Sequence, residues 1–146
     1  LVGGSLAAAL VWSGGASAQT LIVDPQHIAH CLCLEQSVAQ RAADMNARRQ
    51  VYEQRTAELA QLDQRIARDR GMVNESDPVQ VGRFRDMVEQ RDRLAESIDG
   101  LVIGDLQASI GRYNEQVAAH RQSCGGAYYE QNTLERVRMT LACPRM

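Results

Sequence analysis

Apolar side chains recur every seven residues through the first half of the chain, at Cys31, Val38, Met45, Tyr52, Leu59 and Ile66, with polar and charged residues between them. A strict seven-residue repeat lines one stripe of a long helix, and that stripe needs a facing stripe to bury it. Asp24-Pro25 supplies an N-cap followed by a proline at the first helical position, where its missing N–H costs nothing. No further Gly or Pro interrupts the pattern before Gly71. The spacing predicts a first helix over about 25–70, roughly 70 Å long at 1.5 Å per residue.

Gly71 and the run Asn74-Glu75-Ser76-Asp77-Pro78 read as a turn at 71–77 that ends in a second cap-and-proline start. A second helix of matching length is predicted over about 78–124, terminated by Gly125-Gly126. Its apolar stripe reads Phe84, Val88, Arg91, Ala95, Ile98, Val102, Leu106, Ile110, Tyr113, Val117, His120, Cys124. Set antiparallel, the stripes match in constant register: Cys31 with Cys124, Val38 with Val117, Met45 with Ile110, then Tyr52 with Val102 and Leu59 with Ala95 after a slip of at most one residue. The slip falls where the second stripe steps by four three times, from Ile98 to Ile110, a stutter that unwinds a supercoil locally. The register also sets Asp63 opposite Arg91, and the row Arg41, Arg48, Arg55 roughly opposite Glu115, Asp105 and Asp99. Asn132-Thr133-Leu134-Glu135 has capping-box spacing and opens a short third helix over about 133–142 with the stripe Leu134, Val137, Leu141. Such a short helix needs to fold back on the rest. The expected fold is therefore all-α: a long antiparallel two-helix coiled-coil hairpin with a short C-terminal third helix, stapled by disulfides at its open end.

Composition narrows the partners. Sixteen basic residues and eighteen acidic ones are mixed along the chain, for a net charge of −2. Nucleic acid is not expected as a partner, because counterion-driven binding needs a clustered basic face. Six aromatics in 146 residues favour a thin seam over a thick core.

Leu1 to Val23 carry no charge, and an apolar run from Leu6 to Trp12 precedes the small-x-small site Ala16-Ser17-Ala18. That layout reads as a secretory leader over 1–18, with a single domain over 19–146. Retained instead of cleaved, the same segment is the one route to membrane attachment. An exported, periplasmic setting makes four cysteines most simply two disulfides. Cys31 and Cys33 point to different faces of one helix and do not easily bond each other. Cys31–Cys124 with Cys33–Cys143 is preferred, and Cys31–Cys143 with Cys33–Cys124 is the alternative.

The same end of the hairpin gathers the candidate chemistry. His27 precedes Cys31 by one helical turn and His120 precedes Cys124 likewise, so His27, Cys31, His120 and Cys124 form an alternative Cys2His2 metal set. His30 reads as a surface residue, and Glu35 falls near His120 in the register. Along one flank of the second helix, Gly100, Gly104, Ala108 and Gly111 form a row of small residues that either admits a neighbouring backbone or eases the stutter. Each Gly in a helix interior costs about 1 kcal/mol relative to Ala. The turn adds Met72 and Val73 as an apolar tip.

No phosphate-binding loop, nucleophile elbow or zinc-protease pair occurs in the sequence. The expectation is a non-enzymatic, cofactor-free structural or adaptor protein of the bacterial envelope that binds other proteins or a second copy of itself. Two alternatives stand beside it: a metal-binding or thiol-redox protein using the Cys/His end, and a periplasmic holdase chaperone.

Overall fold

The computed structural model describes residues 20–144. The predicted leader at 1–18 lies outside them. A short strand β1 (Thr20–Ile22) leads into the 45-residue helix α1 (Pro25–Asp69). The Asp24 carboxylate caps α1 by accepting the backbone N–H groups of Gln26 and His27. At the far end the Arg70 N–H donates to the Ile66 carbonyl, and the Met72 N–H to that of Asp69.

Three side chains brace the turn that follows. The Asn74 side chain accepts the Ser76 N–H, Asp77 accepts the N–H groups of Val79 and Gln80, and the Gln80 side chain accepts the Asn74 N–H while donating to Asp77. Helix α2 (Pro78–Ser97) starts from that cap. A π-helical segment, Ile98–Val102, separates α2 from α3 (Ile103–Cys124). Within it the Ile103 N–H reaches back to the Ile98 carbonyl, one residue further than in an α-helix. A π turn is one residue inserted into a helix, and it falls where the apolar stripe slips its register.

The outcome is a hairpin-like helical fold in which α1 packs against α2 on one stretch and α3 on another. Every residue of the ladder from Cys31 to Ile66 is buried or half-buried, and so is every residue of the second stripe from Phe84 to Cys124. The polar pairing between helices follows the same doubling back. Arg91 donates to Asp63 at 2.8 Å, Arg48 to Asp105 at 3.2 Å and Arg112 to Asp44 at 3.2 Å. Arg55 turns away from Asp99 to Glu58 of its own helix at 3.0 Å, because an i,i+3 partner is reached without crossing the seam.

Past α3 the chain reverses through Gly125 and Gly126. A Cβ on Gly125 would collide with the Arg121 carbonyl, whose oxygen accepts the Gly125 N–H, and Gly126 sits at φ 71°, in the left-handed region. The reversal lays β2 (Ala127–Tyr129) beside β1 in parallel, with Leu21 opposite Tyr128, and the Glu130 N–H donates to the Ile22 carbonyl. This small sheet is an addition to the expected helices. Helix α4 (Gln131–Thr140) begins two residues earlier than the capping-box spacing implies, because the Glu130 carboxylate, in place of Asn132, accepts the N–H groups of Asn132 and Thr133. Leu141 then extends, and Cys143 returns to α1.

The densest packing lies at this end. Ile22, Ile28, Cys31, Leu32, Cys124, Leu134 and Val137 form one buried cluster, with Tyr129 and Leu141 against it.

Candidate functional site at the cross-linked end

Four elements converge on the cysteines. The first turns of α1 present His27, Cys31 and Cys33, the last turn of α3 presents Cys124, α4 lies over them, and the extended tail carries Cys143. Cys31 is bonded to Cys124 with Cα atoms 5.8 Å apart, and Cys33 to Cys143 with Cα atoms 5.3 Å apart. No cysteine is free among the described residues.

The two disulfides sit in different surroundings. Cys31 is fully buried and Cys124 nearly so, under Leu134 and Val137 of α4. Cys33 and Cys143 are only half-buried, and Cys33 borders a surface cleft with His30 and Pro144. One linkage is a core element; the other is a strap within reach of solvent.

His27 joins the buried pair. Its ligand nitrogen and the sulfurs of Cys31 and Cys124 all lie within 4.8 Å of one another. Its Nε2 is 3.0 Å from the Ser123 carbonyl oxygen. A carbonyl only accepts, so Nε2 carries the proton in this contact and the lone pair is left on Nδ1. His120, half-buried on α3, stands outside this group, which corrects the four-residue metal set to three residues. The Ser123 carbonyl, in the last turn of α3, holds the His27 ring beside Cys124.

Glu35 acts on Tyr129. Burial raises the Tyr129 phenol above its ordinary pKa, and the nearby Glu35 carboxylate adds to the effect. At the N-terminus of α4, the Thr133 hydroxyl and backbone N–H, with the Asn132 N–H, hold the Glu130 carboxyl below its ordinary range.

The other candidate residues lie apart from this end. Gly100, Gly104 and Ala108 are exposed and Gly111 is half-buried; a Cβ at any of the three glycines would meet nothing within 4 Å. Beside them the π turn pushes Leu101 outward to 73 % exposure. At the opposite end Met72 is 69 % exposed on the rim of a shallow groove with Val73, Arg83, Phe84 and Met87. No helix among the described residues is long and apolar enough to cross a membrane. Two disulfides fit an oxidising, exported compartment.

The β1–β2 pair had weak signals in sequence, the β-branched Thr20, Ile22 and Val23 and the pair Tyr128-Tyr129, while the role of the Ser123 carbonyl had none. In comparisons with known protein families, characterised proteins and solved structures, none matches this chain. The class of protein is thus given by its own geometry, a disulfide-linked, hairpin-like helical protein.

Proposed function

We propose that this chain is an exported, non-enzymatic adaptor of the bacterial envelope, released from its leader into the periplasm. In this reading its long helices pair as an antiparallel coiled coil that holds protein partners along its length. The observation that carries the reading is that three large apolar side chains away from the cross-linked end stand in solvent: Met72 at 69 %, Val79 at 59 % and Leu101 at 73 % exposure. Single exposed apolar residues are ordinary on a protein surface. These lie at the tip and beside a run of small residues, where a second helix can come close.

The charge pattern supports the same reading. Asp44, Arg48, Arg112 and Asp105 link across the helices in a solvated chain, and the Arg112 guanidinium, aided by Arg48, holds the Asp44 carboxyl below its ordinary range. Exposed pairs of this kind contribute little to stability and instead specify register and orientation.

A photo-crosslinking residue placed at Met72 or at Leu101, in the chain as expressed in a bacterial envelope, tests the proposal. Discrete adducts at either position, absent when the residue replaces exposed Gln64, are expected. A chain that yields no adduct at Met72 or Leu101 while correctly oxidised overturns it.

A further inference from the structure

We infer that reduction turns the buried Cys31–Cys124 disulfide, together with His27, into a three-ligand site for a zinc-type divalent cation. This goes beyond the adaptor reading and does not rest on it.

The donor set is two thiolates and one imidazole, the chemistry that suits a soft d10 ion. With metal–sulfur bonds of about 2.3 Å and metal–nitrogen bonds of about 2.0 Å, a tetrahedral site places its ligand atoms roughly 3.5 to 3.8 Å apart. The three ligand atoms already lie within 4.8 Å of one another, so once the Cys31–Cys124 bond is reduced the sulfurs need only move slightly apart. Two are on one rigid helix: His27 and Cys31 stand one turn apart near the start of α1. The third, Cys124, is the last residue of α3.

The second support is the hydrogen bond behind the ring. Metal-binding imidazoles commonly donate their other N–H to a backbone carbonyl, which sets tautomer and orientation. Nε2 of His27 makes that contact with Ser123 before any metal is present. A surface cleft of about 440 Å³, bordered by Asp24, His27, Ser123 and Gly125, gives an ion a path to the ring. With His120 outside the group, the fourth coordination position is left to water.

Access is graded by the two disulfides. The half-buried Cys33–Cys143 strap meets an external dithiol first, and its release frees the tail that anchors α4. The buried pair follows. In each step the protein S–S bond breaks and the dithiol closes into its own disulfide, so two electrons pass from reductant to protein and two protons end on the cysteine sulfurs. Those of Cys31 and Cys124 leave to solvent as the cation binds. The site is closed in an oxidising compartment and opens with the thiol poise.

The test uses the full chain with Cys33→Ser and Cys143→Ser, leaving only the buried pair. It is reduced with a phosphine and titrated with Zn2+ against a chromophoric chelator, and in parallel with Co2+, whose thiolate charge-transfer band reports the donor atoms. One ion per reduced chain and none per oxidised chain are expected. His27→Ala should weaken binding roughly tenfold or more, and His120→Ala should leave it within about twofold. The chain with all four cysteines, reduced in the same way, should show the same dependence on His27. Circular dichroism follows helix content throughout. A reduced chain that takes up no Zn2+, one that loses its helix and does not regain it with Zn2+, or affinity indifferent to His27→Ala overturns the inference.

Discussion

The two ends of this molecule are built on opposite principles. At the cross-linked end, α1, α3, α4 and the two short strands enclose seven buried side chains, the Cys31–Cys124 disulfide among them, and the Cys33–Cys143 bond ties the tail to α1. At the hinge end α2 buries no residue fully, and the turn is held by hydrogen bonds among Asn74, Asp77 and Gln80. Two helices meeting along one seam leave most side chains open on their flanks, with only isolated ones such as Leu62 and Ile98 buried. A third layer converts a half-buried stripe into a continuous core. The lesson is that α4, ten residues long and marginal alone, decides where the stability of the whole chain resides.

The difference between the two ends depends most on the buried disulfide. Cys31→Ala with Cys124→Ala leaves the Cys33–Cys143 bond closing the long span, so it releases only the short loop between the two linkages and should lower stability by about 3 kcal/mol in chemical denaturation, with chain entropy setting the upper bound. A loss under about 1 kcal/mol would mean that the end does not anchor the rod. Ile28→Ala should cost about 2 to 5 kcal/mol, since Ile28 is fully enclosed in the cluster. Val79→Ala at the hinge should stay within about 0.5 kcal/mol. Equal losses at the two sites would erase the distinction between the ends.

Native-state hydrogen exchange sharpens the contrast without mutation. Amides of α2 next to the turn should exchange through local opening, while those around Cys31 and Cys124 should exchange only with global unfolding. Uniform protection would mean that the two ends open together.

The smallest effect is on pH. Backbone and side-chain hydrogen bonds from Gln80 and Val79 lower the Asp77 carboxyl, as those of Thr133 and Asn132 lower Glu130. A folded pKa below the unfolded one means that the folded state binds fewer protons. The stabilisation is therefore present above about pH 4 and lost as pH falls through the folded values. Acid should loosen the hinge first, because no disulfide backs up Asp77. Tyr129 works the other way: its raised pKa gives stability at neutral pH that is lost as pH rises past about 10. Exchange rates at the turn measured from neutral pH to pH 3 check the first statement, and a phenolate absorbance titration checks the second.

Much of the helical content was legible in the chain because its signals are local. Asp24-Pro25 and Asp77-Pro78 start helices by the same capping chemistry in the sequence and in the structure. The apolar stripes face inward as their spacing implies, and the stutter between Ile98 and Ile110 marks the neighbourhood of the π turn. The capping of α4 was less legible: both Glu130 and Asn132 suit a cap, and the choice depends on where β2 delivers the chain. The candidate site was legible as a convergence of cysteines and histidines but not as a ligand set. His120 has the same spacing to Cys124 as His27 has to Cys31, and nothing in that spacing tells them apart.

By itself the sequence determined the helix starts and the spacing of the two apolar stripes, since each depends on residues a few positions apart, and setting those stripes side by side drew the sulfur toward one end. The tertiary structure chose between the two cysteine pairings in favour of the preferred one, and it alone decided that His27 and not His120 stands beside the buried pair and that α4 closes over them. Those outcomes turn on contacts between segments some hundred residues apart, where a rotation of one helix by a single residue exchanges which side chains meet.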